Sequence, residues 1–149
     1  MADEIRLTRK IAASAEDLFD AWTDPDSLAQ WLVPIPGGST RARVDARVGG
    51  SFHIDMSGKD EVYPHDGEYL RVERPRLLEF TWISRATNGE RSIVTVELRP
   101  LDAGTTELIL THRLLPNRAT ADAHHEGWSR GLDRLVAQFA IPEQTETRQ

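Results

Sequence analysis

Histidine is the side chain whose charge most readily changes near neutral pH, and this sequence carries five of them in four settings. His112 follows Leu108 and Leu110 at a spacing of two, so it shares the inward face of a predicted strand near that strand's end. A buried imidazole there could bond a ligand or act as a general base; the competing reading is a core histidine satisfied by backbone. In His124-His125-Glu126 the two rings point ~100° apart on a helix, which denies them the usual one-metal chelate. That pair reads as a surface patch, although His124 lies one turn before Trp128 and would overhang a pocket mouth. His53 and Asp55 share a strand face, but it is the face opposite Phe52 and Ile54, and solvent is expected there. His65-Asp66-Gly67 reads as a turn that happens to contain a histidine.

Familiar catalytic constellations are missing from this set. The sequence has no Gly-x-Ser-x-Gly elbow, no phosphate-binding loop and no His-Glu-x-x-His pair. It has no cysteine, which removes disulfides, thiol nucleophiles and thiolate metal sites. No catalytic residue, metal site or cofactor is therefore assigned. The residues left for function are wide rings, which can line a cavity without filling it. Trp31, Phe52, Tyr69, Trp82 and Trp128, with His112 as the polar member, form the candidate ligand-binding set. Tyr69 is the ambiguous one, because Leu70 and Val72 compete for the inward face.

The elements that must position these residues follow from periodicity. Ile5, Leu7 and Ile11 suggest an opening strand. Ser14 reads as a helix cap ahead of Glu16 and Asp17, with Leu18, Phe19 and Trp22 on one stripe. Asp24-Pro25 ends that helix and starts a second, carrying Leu28, Trp31 and Leu32. Pro34–Gly38 is a predicted loop. Strands are then expected over Arg41–Ala46, Ser51–Met56, Gly67–Glu73, around Leu78-Phe80-Trp82, around Val94-Val96-Leu98, and from Thr106 to His112. Asn88-Gly89 signals a hairpin turn. A last helix is predicted from a Thr120 cap to Ile141, stopped by Pro142, with Trp128, Leu132, Leu135, Val136 and Phe139 on its apolar stripe. Gly127 and Gly131 inside it call for a packing reason, since glycine costs a helix about 1 kcal/mol relative to alanine.

Composition bounds the rest. At 149 residues the chain suits one domain over 1–149, with a polar tail at 143–149. Its 24 acidic and 18 basic residues give a net charge of −6, the wrong sign for a general nucleic-acid or anionic-membrane binder. No signal peptide is visible and no apolar run approaches the ~20 residues of a membrane span, so the cytoplasm is the expected location.

The order β-α-α-β6-α and the residues filling it resemble a known family, the bacterial homologues of the heat-shock-protein-90 ATPase activator. That family sits within the START-like (SRPBCC) superfamily. The resemblance runs from Ile5 to Phe139. It is carried by Ile11–Phe19, Trp22-Thr23-Asp24-Pro25, Trp31, Gly49-Gly50-Ser51-Phe52, Gly67-Glu68-Tyr69, Leu77–Trp82, Thr111-His112 and Gly127-Trp128, in that order. It implies an α+β helix-grip fold, a curved antiparallel sheet wrapped around a long C-terminal helix, with an internal cavity. It implies no single chemistry, because the superfamily includes lipid carriers, hormone binders and cyclases. The leading expectation is a binding protein for a small apolar or amphipathic molecule. The alternatives are a cyclase-, dehydratase- or hydrolase-like enzyme using His112 in the same pocket, and a chaperone-associated interaction module. No nucleic acid, membrane span or cofactor is expected, and a homodimer is compatible with these features.

Overall fold

The computed structural model describes residues 3–33 and 35–147, with side chains as far as Ala140. Pro34 of the expected loop, and the side chains of the polar tail at 143–149, fall outside the described residues. Strand β1 (Asp3–Ile11) leads into helices α1 (Ala15–Thr23) and α2 (Pro25–Trp31). Six strands follow: β2 (Ser39–Val44), β3 (Ser51–Ser57), β4 (Val62–Glu73), β5 (Leu77–Trp82), β6 (Ser92–Asp102) and β7 (Thr105–Leu115). Helix α3 (Arg118–Thr147) comes last. The strands form one seven-stranded sheet in the order β1-β7-β6-β5-β4-β3-β2. Every pairing in it is antiparallel. The sheet curves around α3, and this is the helix-grip architecture.

Local chemistry explains the short helices. Ser14 Oγ accepts the Asp17 N–H at 3.1 Å, capping α1. Asp24 accepts the Ser27 N–H at 3.0 Å, capping α2 with Pro25 in its first turn. The V they form buries Trp22 against Trp31, edge to face with ring centroids 4.7 Å apart.

The long helix departs from expectation at both ends. Its cap is Asn117, whose Oδ1 accepts the Thr120 N–H at 2.8 Å, so Thr120 lies inside the helix rather than before it. Its bounds also run past Pro142, since a proline removes one backbone hydrogen bond and bends a helix without always ending it. Polar contacts fasten its outer side to two neighbours. Arg9 of β1 reaches Asp133 at 3.1 Å and Ser129 at 2.9 Å, while Arg134 donates to the Gln30 carbonyl of α2 at 2.9 Å.

Strand β4 is the largest correction. The segment His65-Asp66-Gly67, expected as a turn, is continuous strand from Val62 to Glu73. Its first half pairs with β3, from Ser57↔Val62 to Ser51↔Glu68, and its second half with β5, from Tyr69↔Phe80 to Glu73↔Leu77. Pro64 is tolerated because backbone pairing on the β5 side ends at the Asp66↔Ile83 bridge, two residues after it. His65, Gly67 and Tyr69 therefore alternate inward. A register shift between Tyr69 and Arg71 then resets the phase, which puts Val72 opposite Leu78 and turns both Tyr69 and Val72 inward. The turn before β6 is also more elaborate than a hairpin. A single 3-10 turn, Arg85–Thr87, is closed by a Ser84–Thr87 capping box, and Asn88 and Gly89 take positive φ of 59° and 73°.

Candidate functional site

Between α3 and the inner face of the sheet lies a half-open cavity of about 170 Å³. Met56, His65 and Trp82 supply its sheet wall, and Leu32 closes one end. Ala123, His124, Gly127 and Trp128 supply its helix wall. Ala86, from the turn before β6, completes the rim. A second groove of about 420 Å³ shares Met56, His65 and Ala86 with it and spreads outward over Lys59, Tyr63 and Arg85. A vestibule with Lys59 and Arg85 on its rim thus adjoins an apolar chamber. Deeper still is a void of about 20 Å³ bounded by Trp22, Phe52, Tyr69, Phe80, Trp82 and Trp128 among others, room for about one water.

The candidate set divides within this geometry. Trp82 and Trp128 line both the chamber and the inner void, with ring centroids 5.1 Å apart. Phe52 and Tyr69 reach only the inner void. Trp31 borders neither the chamber, the vestibule nor the inner void. It is wholly buried, and its indole donates to the Ala21 carbonyl at 3.0 Å, so it fixes α2 on α1.

His112 is displaced from its expected role as well. Its side chain is buried and borders neither the chamber, the vestibule nor the inner void, because Trp128 stands in front of it. An indole N–H can only donate, so the 3.1 Å bond from Trp128 Nε1 makes His112 Nδ1 an acceptor. In the neutral ring the proton then sits on Nε2, which donates to Ser92 Oγ at 2.7 Å. Ser92 passes its own proton to the Trp82 carbonyl at 2.6 Å. The relay Trp128→His112→Ser92→Trp82 satisfies both nitrogens of His112 and ties α3 to three strands.

The same logic reads the Ser92–His112 contact. A 2.7 Å Ser–His approach has the spacing of a nucleophile and its base. Here Nε2 already bears the proton, so it cannot take one from Ser92. Both residues are also fully buried. Burial, and secondarily the charge of His124, push the His112 imidazole down to about 2. It stays neutral at any ordinary pH.

The titratable groups that do face the chamber are His65 and His124. Burial lowers His65 to about 4, and burial likewise lowers His124, against the opposing pull of the Thr120 carbonyl. Two buried nitrogens in the chamber wall, His65 Nδ1 and Trp82 Nε1, have no hydrogen-bond partner among the described residues. Sequence reasoning missed His65 because an Asp-Gly dipeptide behind a proline masked the alternation His65, Gly67, Tyr69. Trp22 was read only as helix stripe, yet it stacks on Trp128 at 5.8 Å and borders the inner void. Of the two helix glycines, Gly127 lines the chamber.

On the opposite face, His53 and Asp55 are half-buried rather than free in solvent. Nδ1 bonds Asp66 at 2.7 Å and Nε2 bonds Asp55 at 2.9 Å, so the ring sits between two carboxylates and its pKa is raised, chiefly by Asp66.

The sequence profile of the activator of Hsp90 ATPase homolog 1-like proteins matches residues 12–140. The chain belongs to that family. Among solved structures, this AHSA1-like chain is similar to a protein from Chromobacterium violaceum, 27% identical with a TM-score of 0.83, covering 91% of this chain and 96% of that one. It is similar also to an Hsp90 activator from Plasmodium falciparum, 24% identical with a TM-score of 0.74, covering 93% and 97%. A third, from Rhodobacter sphaeroides, is 21% identical with a TM-score of 0.78, covering 92% of each chain. The last two likenesses show the fold alone. Among curated proteins, none matches this sequence. The AHSA1-like, START-like fold is consistent with ligand-binding and with chaperone-associated roles. Among the described residues, no helix is long and apolar enough to cross a membrane.

Proposed function

We propose that this chain binds a small apolar or amphipathic molecule in the chamber between α3 and the sheet. The observation that carries the reading is the chamber itself, an apolar space of about 170 Å³ between α3 and the sheet. A cavity of ~150 Å³ lined by apolar side chains suffices to hold a benzene-sized molecule. The vestibule beside it, with Lys59 and Arg85 on its rim, accommodates a polar end that stays in water. Burial of an apolar ring against these walls gains roughly 25 cal/mol per Å².

The test uses tryptophan emission, since Trp82 and Trp128 form the chamber walls. Titration with a one-ring apolar ligand such as toluene is expected to change that emission saturably. Native mass spectrometry of the purified protein is expected to show a co-purifying small molecule. A protein that binds neither would refute the container reading.

A further inference from the structure

The walls of the chamber specify more than apolarity, and the class of ligand they select rests on the container function proposed for this chain. His124 projects from α3, and its Nδ1 lies 2.8 Å from the Thr120 carbonyl of its own helix. A carbonyl accepts only, so Nδ1 must carry the ring's proton. Nε2, on the opposite edge of the neutral ring, is then a bare lone pair. Among the described residues nothing donates to it, and it is not among the buried, sealed-off nitrogens of the interior. The indole N–H of Trp82, by contrast, is sealed inside the wall and offers the chamber nothing. His124 therefore brings an unused acceptor to an otherwise apolar space.

Few small neutral groups supply the donor it needs. An ether or ketone oxygen has no proton to give. An ammonium is charged, and no carboxylate lines the chamber to offset burial of its charge. A carboxylate brings acceptors only, again at the cost of a buried charge. A neutral hydroxyl has one proton and two lone pairs. We propose that the ligand of this chamber is a hydroxyl-bearing apolar molecule, a phenol or compact alcohol, whose O–H donates to His124 Nε2. At about 170 Å³ the chamber takes a single six-membered ring with its hydroxyl, and any larger body extends into the vestibule past Met56 and Ala86.

Phenol and toluene have nearly the same shape, so comparing them isolates the hydroxyl. Burying an unpartnered hydroxyl costs enough to favour toluene by about 10- to 100-fold. A made hydrogen bond cancels that penalty and adds up to about fivefold. Titrations at pH 8, followed by tryptophan emission, are expected to show phenol binding at least as tightly as toluene. In His124→Leu, which keeps an apolar side chain and loses the acceptor, the preference is expected to turn to toluene by tenfold or more. Far-ultraviolet circular dichroism checks that this variant stays folded, and the wild-type comparison needs no variant. Tighter binding of toluene than phenol by the wild type overturns the hydroxyl inference and leaves the container standing. A phenol preference that survives in His124→Leu overturns the assignment to His124. Failure of both compounds to bind overturns the container and this inference with it.

Discussion

His112 shows how one imidazole can look functional and be structural. The four-residue relay through it leaves no free edge on the ring, and each partner is itself buried. Removing the ring strands the Trp128 N–H and leaves a void, so His112→Ala is expected to cost about 3–5 kcal/mol of stability, measured by urea unfolding. Ser92→Ala removes only one link and is expected to cost about 1–2 kcal/mol. If His112→Ala unfolds at the wild-type midpoint, the staple is wrong. Acid should attack the same groups. His65 and His112 titrate at about 4 and about 2 when folded, below the value of 6.5 for a free imidazole. The unfolded chain therefore binds more protons between those limits, and stability falls as pH drops below about 6.5. Each of these rings contributes a slope of up to ~1.4 kcal/mol per pH unit until its folded value is reached. His53 runs the other way. Its raised pKa gives stability that is full below about 6.5 and is lost as pH rises through the folded value. Because its side chain is 30% exposed, that contribution is small beside the buried pair. The unfolding midpoint is thus expected to fall between pH 7 and pH 5.5, and more steeply in His53→Gln.

At the scale of elements, two glycines make opposite predictions. Gly67 sits in β4 directly opposite Phe52 of β3. A Cβ there would meet the Thr81 carbonyl oxygen at 2.1 Å and the Phe52 ring at 2.2 Å. Neither the backbone nor a packed ring can retreat that far, so Gly67→Ala is expected to destabilise by about 2–3 kcal/mol or more. Gly131 sits in α3, where a Cβ would find Leu32 at 3.4 Å and Trp31 at 3.6 Å, ordinary contact distances. Gly131→Ala is expected to raise stability by about 0.5–1 kcal/mol through helix propensity alone. Thermal unfolding of the two variants side by side checks both signs. The helix glycine drew notice in the sequence, whereas the strand glycine carries the greater constraint.

For the whole molecule, the chamber depends on the distance between α3 and the sheet. Gly127 faces the chamber from the helix, so Gly127→Leu is expected to fill it. Leucine is also the better helix former, so folding should be retained while toluene and phenol binding drops at least tenfold. Unchanged affinity in a folded Gly127→Leu protein would move the binding site elsewhere. The vestibule is a separate region of the same face. Arg85 is held there by Glu61 at 3.1 Å and lies over the Tyr63 ring at 5.2 Å, so its charge is already engaged in shaping the rim.

Period-two alternation in β3, β5, β6 and β7 and the capped starts of α1 and α2 were legible from the residues alone, because such patterns depend on neighbours a few positions apart. The apolar stripe of α3 was legible for the same reason, and it correctly brought Trp128 to the sheet. Two kinds of feature escaped. Where a strand changes partners, as β4 does at Tyr69, proline and Asp-Gly send a turn signal that only the open edge beside Pro64 cancels. Which inward residue meets empty space is likewise set by distance between elements, and no spacing along the chain encodes it. Trp31 and Trp82 look alike in sequence; the packing of α1 on α2 buries one, and the gap beneath α3 leaves the other at a cavity wall. His112 and His124 differ in the same way. The inward phase of His112 was determined by its strand, but the indole of Trp128 arrives from an element 16 residues away and takes up its lone pair. His124 spends its proton within its own helix turn, and only the tertiary fold sets its remaining nitrogen beside a chamber.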